Sequence, residues 1–215
     1  MGLNGFPILT LITFTPILGS LIILLIPERN EKAIKWTALG ISLIPLVLSI
    51  ILWVNYDPSQ PGMQFEEDYR WFSAINSRYH LGVDGISVPM VFLTALLTPA
   101  AILYSFGIKE KVKAYFALFL MLEMGMFGVF VALDLIIFYI FWEIGLVPMY
   151  FLIYIWGSEN RRYAAFKFFV YTLTGSILML LAIQVIYWAA GTFSITELIR
   201  TCLLYTSDAA DEGLG

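Results

Sequence analysis

Apolar residues in this chain come in long blocks with short polar breaks between them. The blocks run approximately over residues 6–26, 36–54, 86–106, 114–132, 135–156 and 164–188. About 20 apolar residues cross a hydrocarbon core of about 30 Å as a helix. The alternation of a transmembrane β-barrel is missing from all six blocks. The pattern therefore predicts an all-α integral membrane protein with six transmembrane helices. The blocks read as one domain over residues 1–200, with no internal repeat. The one long break, residues 55–84, holds Pro58, Pro61, Gly62 and a short acidic run, so its first half reads as turn-rich. Tyr69, Trp71 and Phe72 within it suit a membrane interface.

Composition agrees. Of 215 residues, 60% are hydrophobic and only 13% charged, against about 25% charged in a soluble domain. Mean hydropathy is +0.84. The net charge of −4 says little about partners, because charge in a membrane protein acts by side and depth. A nucleic-acid partner is not expected. The single cysteine excludes an intrachain disulfide. The first block follows no basic segment and is long enough to remain as an anchor, so no cleavable signal peptide is expected.

The breaks alternate in charge. Arg29, Lys32, Lys35, Lys109, Lys111, Lys113, Arg161, Arg162 and Lys167 fall on one side. Arg70, Arg78 and Arg200 fall on the other, with the acids Asp57, Glu66, Glu67, Asp68 and Asp134. The positive-inside rule places the basic breaks in the cytoplasm and the N-terminus outside.

Candidate chemistry lies in two acids. Glu143 is the only charged residue of LIIFYIFWEIGLVPMYFLIYIW, and Glu123 lies at the centre of the preceding block. A carboxylate at mid-bilayer costs roughly 2.5 kcal/mol or more to insert, and such a group usually faces a bundle interior or a water-filled path. At 1.5 Å per residue, the two acids differ in depth by only about 4 Å. Only Leu133 and Asp134 separate their helices, which makes them antiparallel neighbours whose acids can approach or share water. A glutamate that changes protonation near neutral pH follows as a hypothesis. Pro148 denies the Ile144 carbonyl its usual donor, next to Glu143. Tyr139, Tyr150 and Tyr154 share the Glu143 face by helical spacing, where interior packing is the simpler reading of the tyrosines. Gly125 and Gly128 permit close helix approach beside Glu123, so a purely structural hydrogen bond is an alternative there.

Lys167, near the basic end of the sixth block, either snorkels to the interface or joins a proton path. Thr172, Thr174, Ser176 and Gln184 read as interhelical hydrogen-bonding groups without chemistry. Asp84 reads as a helix N-cap, and His80 as a packed or hydrated loop residue. No metal-ligand set, phosphate loop, dinucleotide fingerprint or haem motif occurs. No cofactor is expected in this chain, and any electron transfer belongs to another subunit.

The stretch FWEIGLVPMYFLIYIWGSENRRYAAFKFFVYTLTGS (residues 141–176), with YHLGVDGIS (79–87) and MLEMGMFG (121–128), resembles the antiporter-like membrane subunits of proton-pumping NADH–quinone oxidoreductase, respiratory complex I. It is most similar to those called chain 4 or chain M. The resemblance covers roughly residues 1–200. It implies that Glu143 is an essential member of a proton path and that Glu123 contributes. It also implies more than twice as many spans, in two inverted repeats, so that this chain is an N-terminal fragment. NADH, FMN, iron–sulfur clusters and quinone are implied for the whole complex, and other membrane subunits and the bilayer as partners. Glu143 would gain or lose a proton as a lysine on a later helix moves nearer or farther. The competing readings are a subunit of a cation/proton antiporter or membrane-bound hydrogenase, and a structural assembly subunit whose acids only stabilise packing. The cell (inner) membrane is the default location, with thylakoid and mitochondrial inner membranes open. Residues 201–215, Cys202 included, change character and resemble a translated adaptor sequence, so no function is drawn from them.

Overall fold

The computed structural model describes residues 6–72 and 75–201. Six long helices carry the apolar blocks: α1 (Ile8–Leu25), α2 (Glu31–Asn55), α3 (Ser87–Tyr104), α4 (Val112–Val131), α5 (Leu135–Trp156) and α6 (Arg161–Ala190). All six are long and apolar enough to cross a membrane. Helices α2 and α6 begin earlier than their apolar blocks. Residues 31–35 and 161–163 carry charge but favour helix, and the Asn30 side chain accepts from the Ala33 N–H. Helix α6 stops where Gly191 turns left-handed, at φ +73°. A short helix α7 (Ile195–Thr201) follows. The tail beyond it, Cys202 included, lies outside the described residues.

The first half of the long loop begins with turns, as expected, and an antiparallel hairpin not anticipated from the sequence, β1 (Gln64–Phe72) and β2 (Ser77–Val83), follows. The strands match Phe65, Tyr69 and Trp71 at period two, with Tyr79, Leu81 and Val83 on the partner strand. Prolines earlier in the loop masked that alternation. Tyr69, Trp71 and Phe72 are about half exposed, as interface residues require.

Carboxylates tie the hairpin to the helices at this end of the molecule. Glu67 is 6% exposed and accepts from the backbone N–H groups of Leu9 (2.7 Å) and Thr10 (3.2 Å) and from the Thr10 hydroxyl (2.5 Å). It thereby caps α1, where Pro7 offers no side-chain cap. Asp134, 1% exposed, caps α5 through Ile136 and Ile137 and also accepts from Ser77 Oγ and the Arg78 N–H. Asp84 accepts from Ile86 and Ser87 and caps α3. These three helices present their positive dipole ends to the hairpin, and each meets an acid. At the opposite end, Lys35 donates to the Phe106 and Ile108 carbonyls just past α3. Arg161 there donates to Ile155, in the last turn of α5.

Inside, the apolar core falls into two clusters. The hairpin-end cluster includes Ile12, Leu52, Ala95, Met124 and Phe127. The basic-end cluster includes Ile23, Leu39, Ile102, Phe116 and Leu120. Each of α1 to α4 contributes to both.

Candidate functional site

Helices α4 and α5 pack at small residues. A Cβ on Gly125 would sit 3.1 Å from the Gly145 backbone, and one on Gly128 would overlap the Phe141 ring at 2.0 Å. This is the close approach expected of glycines in a membrane helix pair. The contacts set an antiparallel register in which Glu143 lies level with residue 127, about 6 Å along α4 from Glu123.

The same contacts decide where the acids face. Glu123 is two residues from Gly125, and Glu143 two from Gly145. Two residues turn a side chain about 160° away from its starting face. Each acid therefore points out of the α4–α5 seam on its own side. The similar depth expected of the pair holds, but their approach does not, because the seam is filled by Gly125, Gly145 and Phe141.

Glu143 turns to α6 and is half buried. The Ser176 hydroxyl donates to its Oε1, and the Tyr139 hydroxyl lies 3.3 Å from the same serine oxygen. Ser176 is 3% exposed and belongs to the α6 stripe Ala165, Ser176, Ile183 that packs on α5. A hydroxyl is donor and acceptor at once, so Ser176 and Tyr139 extend the carboxyl into a short chain of exchangeable protons. Tyr150 and Tyr154 stack on the same face at 5.8 Å, and Tyr150 meets Phe169 edge-on. Their role there is packing, as expected. Ser176 was expected only to hold helices together; its pairing with Glu143 emerges once α6 lies on α5.

Glu123 turns the other way, into the α1–α4 bundle, and is 0% exposed. Among the described residues, neither carboxyl oxygen has a hydrogen-bond partner. Thr98 of α3 lies beside it, but its hydroxyl donates to the Thr94 carbonyl at 2.9 Å. Lys167 is exposed on α6, with its ammonium 5.8 Å from the Tyr163 ring centre. It lies nine residues from Ser176, about 13 Å along the helix and half a turn around it. The described residues therefore do not bring Lys167 to Glu143.

Beyond the spans, burial pushes the Tyr79 phenol up to about 12, against the hydrogen bond with Thr10. Tyr79 thus stays neutral beside Glu67. Among the described residues, no group of three or more His, Cys, Asp or Glu is placed to hold a metal ion.

A bundle of six membrane-length helices, with a fully buried glutamate on one side of a glycine-packed helix pair and a half-buried one on the other, defines an integral membrane protein with acids inside its spans. The family described as NADH:quinone oxidoreductase/Mrp antiporter, TM matches residues 132–212. NADH-quinone oxidoreductase subunit M of Rhodobacter capsulatus is 43% identical over 89% of this chain and 38% of its own length. The chloroplast NAD(P)H-quinone oxidoreductase chain 4 of Mesostigma viride is 41% identical over 84% and 36%. A chain of respiratory complex I from Thermus thermophilus, solved with bound NADH, shares the fold. It has a TM-score of 0.77 and 24% identity, over 89% of this chain and 39% of that one. The chain belongs to the antiporter-like membrane subunit family of NADH–quinone oxidoreductases, and it spans under two fifths of the length of these relatives.

Proposed function

We propose that this chain is part of a proton-translocating membrane subunit of an NADH:quinone oxidoreductase, and that protons are taken up and released at Glu143. The observation that carries this reading is the Glu143–Ser176–Tyr139 chain: a carboxyl inside a membrane-length helix accepts from the Ser176 hydroxyl of the neighbouring helix, and the Tyr139 hydroxyl lies 3.3 Å from that serine oxygen. A carboxyl kept there for stability alone would be costly, and hydroxyl partners let it pass a proton without large motion. Glu123 serves as a second proton-holding carboxyl on the other side of the α4–α5 seam. Lys167 contributes charge at the basic end of α6 and makes no direct bond to the Glu143 cluster.

In this reading the redox chemistry lies in other subunits, which hold the NADH, FMN, iron–sulfur clusters and quinone. Their redox steps change the charge facing Glu143, and its proton follows. The partners are further membrane subunits and the surrounding lipid. The basic breaks face the cytoplasm and the N-terminus faces outward, in a bacterial inner membrane or its thylakoid or mitochondrial counterpart.

The test is Glu143→Gln in the assembled membrane complex, with proton pumping and quinone reduction followed together in sealed vesicles. Loss of pumping with strongly reduced coupled turnover is expected. Normal pumping by an assembled variant overturns the proposal. Failed assembly without a transport defect in the assembled fraction assigns Glu143 a structural role. A cation/proton antiporter subunit is the second reading, because the matched family description joins the two kinds of protein. Exchange activity that persists without NADH oxidation would favour it.

A further inference from the structure

The Glu123 carboxyl is not the only stranded polar group in the α1–α4 bundle. The Thr13 hydroxyl on α1 is also buried without a partner. Gly19 of α1 abuts Leu120 of α4, and Ser20 Oγ donates to the Ala117 carbonyl. Continuing that antiparallel register puts Thr13 level with residues 124–126, within about one helical turn of Glu123. The ring contacts Trp53–Phe92 and Trp36–Phe106 fix the register of α2 on α3, and Gly19 against Ile41 fixes α1 on α2. Both bring Thr13 and Thr98 to the level of about residues 44–47 of α2.

This level is the gap between the two apolar clusters. On α4, Leu120 belongs to one cluster and Met124 to the other, with Glu123 between. On α3, Ala95 and Ile102 flank Thr98; on α1, Ile12 and Ile23 flank Pro16. Buried prolines sit here in three helices: Pro16, Pro45 and Pro99. Each denies a donor to the carbonyl four residues back, on Ile12, Ile41 and Ala95. The layer is thus rich in acceptors and poor in donors. Among the described residues, helices α1 to α4 bring no further charged side chain to it. Helices α1 and α3 contain none, those of α2 lie at Glu31, Lys32 and Lys35, and the only other one on α4 is Lys113.

Buried polar groups go unpaired rarely, and groups the protein leaves unpaired are usually served by internal water, each water making about three hydrogen bonds. We propose that Glu123, Thr13 and Thr98 bound an internal water site at the centre of the α1–α4 bundle, sealed from the Glu143 cluster by the Gly125–Gly145 seam. The water accepts from the Thr13 hydroxyl and donates to the Glu123 carboxyl, and Thr98 or the proline-released Ala95 carbonyl accepts its second proton. The site exists whether or not Glu143 carries protons; only its use as a proton reservoir rests on the proposed function.

Infrared difference spectroscopy of the membrane-embedded protein tests it, using the carboxyl band that Glu123→Gln removes. The band is expected to lie where hydrogen-bonded carboxyls absorb and to respond to H2¹⁸O. It should move in both Thr13→Val and Thr98→Val and stay in place in Glu143→Gln. A band at the position of a carboxyl free of hydrogen bonds overturns the proposal, and the wild type minus Glu123→Gln difference decides this if a threonine variant fails to fold. Indifference to H2¹⁸O with a shift in Thr98→Val alone also overturns it, since that reports a direct dry bond. Movement of the Glu123 band in Glu143→Gln refutes the seal.

Discussion

Asp134 lies in the three-residue turn between α4 and α5, yet it ties together three parts of the fold, and its replacement by alanine is sharply predictive. Its carboxylate accepts from the Ile136 N–H at 2.9 Å, the Ile137 N–H at 3.2 Å, the Arg78 N–H at 3.1 Å and Ser77 Oγ at 3.1 Å. The first two bonds cap α5, and losing such a cap costs about 1 kcal/mol. The other two hold β2 against the α4–α5 turn, where the Leu133 N–H also donates to the His80 carbonyl. Ser77 is 2% exposed, so water does not readily replace the lost acceptor, and each stranded donor adds about 1 kcal/mol or more. Asp134→Ala should therefore destabilise the protein by about 3 kcal/mol. Asp134→Asn keeps one oxygen for the cap and should lose about half as much. Reversible unfolding in mixed micelles, followed by circular dichroism, measures both. A loss below about 1 kcal/mol for alanine, or equal losses for the two variants, would refute the reasoning.

Three further outcomes follow from the packing and the caps. Gly128→Ala places a methyl group within the Phe141 ring and should destabilise by about 1–3 kcal/mol, while Gly175→Ala, which meets nothing within 4 Å, should be near neutral in the same unfolding assay. Glu67→Gln keeps a hydrogen-bonding oxygen but removes the charge at the α1 N-terminus, and should cost about 1 kcal/mol, read as faster proteolysis of the hairpin. Burial alone would raise the Asp84 carboxyl, but hydrogen bonds from Ser87 and Ile86 outweigh it and hold the group below its usual 3.8. A lowered folded value means that the cap contributes fully above about pH 4 and is lost as pH falls through the folded value; Asp84→Asn should flatten that acid limb of the stability profile.

The helices were legible because each is one apolar block, and Glu143 and Glu123 stood out because charge inside such a block is rare. Asp84 was legible as a cap because it directly precedes Gly85 and an apolar run. What a single sequence hid was which way each face turned. Blocks apolar on all sides carry no stripe to orient them, so the outward directions of Glu123 and Glu143 became readable only from the Gly125–Gly145 contact. Ser176 and Thr13 look alike in sequence, each a small hydroxyl in an apolar run. One meets a carboxyl across α5–α6 and the other is left unpaired in the bundle. The hairpin was missed because Pro58, Pro61 and Gly62 marked only the turn-rich first half and the rest was left unassigned, although Tyr79, Leu81 and Val83 alternate as a strand should. The capping role of Glu67 depends on a contact with Leu9, 58 residues away, which local pattern cannot reveal.

The most direct test of Glu143 as the proton-exchanging group is infrared titration of its carboxyl in membranes carrying the subunit, read as wild type minus Glu143→Gln. The Glu143 band should change between its acid and ionised forms within about pH 5 to 9, and Ser176→Ala should shift the transition. A carboxyl ionised throughout that range would contradict the assignment.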